Sequence, residues 1–518
     1  MHPCLRVVFY YSTNSEKWVL FCYTTYMYHA PSRKVQLFKR FVTVIISATI
    51  VIAGVSILTA ITLGYRFNRE NGHIERGGIL QLSSKPTGAN ITVNGQPHPT
   101  TTSAKIVSDP GDYALQLERD GYRTWQKTVP IQAGNITWVM YPRLIPQKLP
   151  VTIVAELPAT LAGALPSGSS KRYAFLQKAD TPTISTANLD SEEVKLTSSS
   201  IPADVYTQPT AEAPKNVFSL KLWSGDERSM LVRHVFADNQ EEWLLVYPEK
   251  PEDSINLTKL FGVQLKNVVF GSYNGSRMYA LVDGAVRLLD VGNGTISRPL
   301  VEKVHDYTLF EDYILFVSQP TEQKTQQVGY THKDFTQPRV VEAVPYDGEH
   351  AAKFDIGKYY DNYYFLITQG KQATLSRSSN LPTNPTAELE RKKVKSFELE
   401  KPVTTAHITD NGQFATIQDG WSFATFNLEV QQLATTDFQP ESAQKAQKLR
   451  YLDRYLLWAE RDGNLRTFEF DGANQHNIMP VEPQFDATLS PSGKYLYGVQ
   501  KTDKGYALSR VQLLDITP

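Results

Sequence analysis

Cysteine is nearly missing from this chain of 518 residues: it has two, and none follows Cys22. Without cysteine, the large remainder cannot rely on disulfides and must be held by core burial, which a chain this long can supply. Zinc-finger, c-type haem and thioredoxin-type cysteine motifs are excluded with it. Other chemistry is missing too. No G-x-S-x-G nucleophile elbow, H-E-x-x-H, phosphate loop or G-x-G-x-x-G occurs. The ten histidines are scattered, and His73, His98, His234, His305, His332, His350, His407 and His476 read as surface or loop residues rather than metal ligands. Asp462 and Asp471 are each followed by glycine and read as turn residues. An excess of one charge is absent as well. Fifty-three basic residues balance fifty-three acidic ones, so no net field draws nucleic acid or anionic lipid. No catalytic, metal-binding or cofactor-binding residue is therefore assigned.

Long apolar runs are absent except for one. Phe41 to Tyr65 spans 25 residues without a charge. At a rise of ~1.5 Å per residue, a helix of that length crosses a hydrocarbon core of ~30 Å. Arg33, Lys34, Lys39 and Arg40 precede the run, whereas Arg66, Arg69 and Arg76 follow it. The balance favours a cytoplasmic N-terminus. A basic segment, an apolar run and no clear cleavage site describe an uncleaved signal anchor. The expected order is a cytoplasmic segment 1–40, a transmembrane helix 41–65 and an extracytoplasmic remainder. Residues 1–26 are aromatic-rich without a period, and Met27, just ahead of the basic cluster, reads as a natural start.

From Arg76 to Tyr141, short alternating strands are separated by turn pairs. Gly78 to Ser84 and Ala89 to Val93 read as strands, and Asn94-Gly95 is a two-residue hairpin signal because both turn positions need positive φ. Tyr113, Leu115 and Leu117 fall on one face of a further strand, Ala114, Gln116 and Glu118 on the other. Asn135 to Tyr141 closes the set. Pro86-Thr87-Gly88-Ala89, Ile91, Val93, Asn94-Gly95, Pro110-Gly111, Tyr113, Gly121-Tyr122, Val129, Ile131 and Gly134 together resemble the PEGA domain, with Thr87 in place of the motif's Glu. The resemblance implies an envelope-associated β-sandwich at 76–141 and no catalysis.

A Pro-rich stretch, 142–150, reads as a stiff linker. Beyond it, from 151 to 518, paired aromatic and aliphatic strands recur at blade spacing. The pairs run from RYAFLQ with ISTANLD through YLLWAERDGNLRTFEF to KYLYGVQ with YALSRVQLLDI. Eight units fit a β-propeller, or seven if Val151 to Leu189 is irregular or completes another blade. Ser490-Pro491-Ser492-Gly493-Lys494 is similar to the turn of TolB-type propellers, as is Asp462-Gly463-Asn464. The basic run Arg391 to Lys395, flanked by glutamates, reads as a solvated segment between blades.

The fold expected is thus all-β behind one transmembrane helix, with a PEGA-like sandwich and a propeller. The function expected is non-enzymatic: a cell-envelope scaffold or binding protein whose partners are an envelope polymer or other surface proteins. The competing expectation is a glycan-processing or hydrolytic enzyme with its site in the central channel. That site would require carboxylates or a metal cluster converging on the axis.

Overall fold

A computed structural model describes residues 5–8, 21–24, 32–62, 65–67, 74–210, 215–237, 240–334, 337–438 and 450–514. Met27 lies outside them. Leu5–Val8 pairs antiparallel with Phe21–Thr24. The long helix runs Arg33–Thr62, so the basic cluster rides on its first two turns. Tyr65, expected to end the span, instead begins a strand, Tyr65–Phe67, that pairs with Ile74–Arg76. Apolar side chains stand exposed all around the helix, Phe41, Ile50 and Leu58 each by more than three-fifths. The hydroxyls of Thr43 and Thr49 donate to carbonyls one turn back, so neither is left without a partner in an apolar surrounding. The helix is long and apolar enough to cross a membrane.

Residues 77–143 form a two-layer sandwich. One sheet has the order Trp125–Ile131, Gly111–Glu118, Asn90–Val93, Gln96–Thr101; the other has Ile136–Val139, Gly78–Leu82, Ala104–Ser108. Asn94 and Gly95 take φ of 49° and 77°, the mirror-image turn expected of that pair. Leu80, Leu82, Leu115, Leu117 and Trp125 fill the space between the sheets. Alternation was legible here because each sheet has one dry face.

Eight four-stranded antiparallel sheets follow among the described residues. Blades I to VII occupy residues 163–200, 217–256, 266–296, 304–345, 354–398, 405–437 and 450–480. Blade VIII is made of Thr488–Leu489, Tyr495–Thr502 and Gly505–Gln512, and Thr152–Leu157 from the other end of the array supplies its outer strand. The Val151 to Leu189 region thus does both things foreseen for it, completing blade VIII and opening a full blade I, and the count is eight.

A succession of shared cores closes the ring. Leu176 and Ile184 of blade I pack with Met230 and Val232 of blade II. The same holds for blades II and III, III and IV, IV and V, V and VI, and VI and VII. Trp458 and Leu465 of blade VII then meet Leu489 and Leu496 of blade VIII, whose Tyr497 and Val499 meet Tyr173 and Phe175 of blade I. Middle strands are covered on both faces: Phe414–Gln418 is buried throughout. This explains why apolar residues in them are not confined to alternate positions.

The basic run is placed differently from expectation. Lys392–Glu398 is the outermost strand of blade V, and Arg391 bonds Glu342 at 3.0 Å. Residues 381–385 fall inside that blade, between its third and fourth strands.

Residues 142–150 are fastened on both sides. Leu144 belongs to the sandwich core and Ile145 to the core of blades VII and VIII. Arg143 pairs with Asp453 at 2.9 Å.

Candidate functional site in the propeller channel

The first strands of blades I, VI, VII and VIII meet around one cavity of about 480 Å³, which puts the first-strand edge of each sheet on the axis. Blade VI contributes Thr405 and His407, blade VII Arg450 and Tyr451, and blade VIII Thr488. Trp458, from the second strand of blade VII, backs them.

Each charge in this wall is held by an opposite one. Asp355, on the first strand of blade V, reaches across to blade VI. Its Oδ2 accepts from the backbone N–H of Ile408 at 2.8 Å and lies 3.0 Å from His407 Nδ1. Burial alone would lower the pKa of His407, but the bond to Asp355 and the charges of Asp355 and Asp410 outweigh it and raise it. His407 therefore carries a proton more readily than a free histidine, and its ring stays 44% exposed toward the channel. Arg450 pairs with Asp486 at 2.9 Å and donates to the carbonyls of Phe485 and Pro483. Its guanidinium lies 4.9 Å from the Trp458 ring.

The remaining lining mixes hydroxyls and the Gln418 amide with apolar Pro166, Leu452 and Ala487. Tyr451 donates to Thr416 at 2.8 Å, and Thr488 donates to Ser170 at 2.8 Å. One donor is left over. The indole N–H of Trp458 is buried and has no partner among the described residues. That N–H is sealed inside the core of blades VII and VIII rather than offered to the cavity. Among the described residues no group of three His, Cys, Asp or Glu could hold a metal ion.

Sequence reasoning placed all the histidines alike. The structure separates them. His350 follows the surface reading, bonding its neighbour Asp347. His407 lines the channel. His234 is fully buried in blade II, stacked on Phe218 at 4.2 Å. Asp462 does sit in a turn, at φ 55°. Asp471 also sits in a turn but pairs with Lys127 of the sandwich at 2.9 Å. Nothing in the local sequence marks His407. Its partner Asp355 lies 52 positions away, one blade earlier, and only the ring joins them.

The PEGA domain model matches residues 77–143. No curated protein matches the chain. Among solved structures, the chain is similar to the Dos1 propeller, at 10% identity and TM-score 0.45 over 69% of this chain and 94% of that one. It is also similar to an oligogalacturonate lyase from Vibrio parahaemolyticus, at 11% identity and TM-score 0.35 over 70% and 98%. A third is apo AztD from Citrobacter koseri, at 10% identity and TM-score 0.38 over 77% and 96%. The propeller architecture of this chain rests on its own eight sheets and their closed succession of cores.

Proposed function

We propose that this protein is a membrane-anchored binding protein of the cell envelope, with residues 1–40 in the cytoplasm and both β-domains outside. The four basic residues on the first turns of the helix, against three beyond it, support that orientation. The propeller presents the binding surface, and its channel takes an oxygen-rich ligand such as part of an envelope polymer. The observation that carries this reading is a channel cavity with six hydroxyl side chains, the amide of Gln418 and the half-exposed His407 among its lining. Such a wall offers donors to hydroxyl, carboxylate or amide oxygens. The charged groups favour holding over turnover, because Asp355 and Asp486 are each engaged with a basic side chain.

The test is calorimetric titration of the full-length protein in detergent with soluble envelope-polysaccharide fragments. Binding should weaken several-fold in His407→Ala, and the fragments should be recovered unchanged. Fragment cleavage that is abolished in Asp355→Asn would replace this reading with the channel enzyme.

A further inference from the structure

The sandwich has four edge strands, and three are protected against pairing. Gln96–Thr101 carries Pro97 and Pro99, Ala104–Ser108 carries Lys105, and Trp125–Ile131 carries Pro130. Proline removes a donor and lysine resists a neighbouring strand, which is how natural sheets blunt their edges. The fourth edge, Ile136–Val139, reads ITWV and has neither.

Its ladder is one-sided. The carbonyls of Asn135 and Val139 accept from the N–H groups of Ile79 and Ser83 on the inner strand. In a strand the backbone groups alternate in direction, so those of Ile136, Trp138 and Met140 point away from the sheet. The side chains of the same three residues are exposed by 45%, 41% and 42%.

The open edge faces a cleft against the propeller. Asn135, Ile136, Thr137 and Trp138 in succession line a cavity of about 320 Å³, with Tyr360 and Glu429 opposite. Thr137, Trp138 and Val139 line the adjoining cavity of about 440 Å³, opposite Gln432, Leu433 and Ala434. Consecutive residues along a cavity wall mean that an edge is presented, not one face. The opposite wall is itself an edge, since Gln432–Asp437 is the outermost strand of blade VI.

We infer that this cleft binds an extended peptide, which adds as a fourth strand beside Ile136–Val139. A polypeptide backbone offers N–H and C=O groups at the ~3.3 Å spacing of an extended strand, which is what the two edges require of an occupant. Apolar side chains at alternate positions of the peptide rest on Ile136, Trp138 and Met140. A carboxylate within reach meets Lys395, which lines the larger cavity and has no carboxylate partner among the described residues. The site is separate from the channel, so its occupation leaves the Trp458 wall free.

The probe is a phage-displayed library of random peptides panned on the full-length protein in detergent, followed by synthetic copies of the enriched sequences. Enriched peptides should alternate apolar residues and slow amide hydrogen exchange at Ile136 and Trp138. Ile136→Pro removes one outward N–H but no bond to Gly78–Leu82, and should weaken binding at least about tenfold. Ile136→Val should bind as the parent does. If the proline variant misfolds by circular dichroism, Ile136→Lys places a charge on the same edge and should give the same loss. No enrichment over the Ile136→Lys protein, or protection appearing only at the channel, would overturn the inference. So would undiminished binding by a folded proline variant. Protection of these amides by envelope glycan fragments, with no peptide active, would overturn it in favour of a glycan.

Discussion

Replacing Lys127 by methionine should loosen the sandwich from the propeller. The ammonium is 7% exposed and bonds Glu469, itself 4% exposed, and Asp471 at 2.9 Å. It also lies 4.7 Å and 4.4 Å from the rings of Tyr141 and Phe470. Burial alone would lower its pKa, but Tyr141, Glu469 and Asp471 raise it, so the lysine is charged at any working pH. Glu469 is pushed up by burial despite Lys127, and its other support is the indole N–H of Trp125. Methionine keeps the aliphatic stem and leaves the carboxylate buried without its cation. Breaking a buried pair from one side costs about 3–5 kcal/mol, while removing both partners is often near neutral. With an unfolding entropy of about 2.1 cal/mol/K per residue over roughly 440 residues, each kcal/mol moves Tm by about 1 °C. Lys127→Met should therefore lower Tm by about 3–5 °C if the two domains melt together, or split the transition if they part. Lys127→Met with Glu469→Gln should recover most of the loss. The assay is calorimetry of the full chain in detergent, with protease cutting at 142–150 as a second reading. A shift under about 1 °C, or a double variant as weak as the single one, would refute the reasoning.

Glu242 gives a pH dependence of definite sign. Burial alone would push its carboxyl up, but bonds from His234, Thr207 and Asn256 hold it at about 2. Its stabilisation of about 3 kcal/mol is present above the ordinary carboxylate pKa and is lost as pH falls from ~4.5 toward ~2. Urea unfolding at pH 6 and pH 3 should show about 2 kcal/mol of that loss in the parent and a smaller change in Glu242→Gln. His407 has the opposite sign: its raised pKa stabilises below the ordinary histidine value, and that contribution fades as pH rises through the folded value. Proton NMR of the imidazole should place its midpoint above 6.5, and Asp355→Asn should bring it down. Gly412→Ala should be among the most damaging single changes, because φ there is 74° and a Cβ would lie 1.9 Å from the Lys358 carbonyl. Loss of soluble, folded protein on expression is the readout, and a parent-like melt would contradict it.

The second and third strands of the blades were readable from sequence because they are largely covered on both faces and are rich in aromatic and aliphatic residues. First and fourth strands were not, because they are short or half-wet: Arg450–Tyr451 has two residues, and Gln432–Asp437 has no fully buried position. The turn seen at Ser490–Lys494 held more information than was read from it. Its serine hydroxyl accepts the N–H five residues on, and Gly493 takes positive φ. Ser167, Ser224, Ser272 and Thr409 make the same bond in blades I, II, III and VI. There the positive-φ place belongs to Ser170, Glu227, Gly275 and Gly412. A search for Ser or Thr followed by glycine three residues later misses blades I and II, where serine and glutamate stand instead. The channel wall was illegible for another reason. Asp355 meets His407, and Arg450 meets Asp486, only once the ring has closed, and no local pattern encodes that meeting. The seam held by Lys127 is hidden in the same way, since its partners lie more than three hundred positions away.

The central claim is that the β-domains stand outside the cell on a single anchor, and the near absence of cysteine makes the test clean. Cys4 and Cys22 precede the helix, and no cysteine follows it. Tyr273, 74% exposed on blade III, is replaced by cysteine, and intact spheroplasts are treated with a membrane-impermeant maleimide. The account predicts that the Tyr273→Cys protein is labelled without lysis, while the parent is not labelled in intact spheroplasts. Labelling of the parent in intact spheroplasts, with Tyr273→Cys adding signal only after lysis, would contradict it.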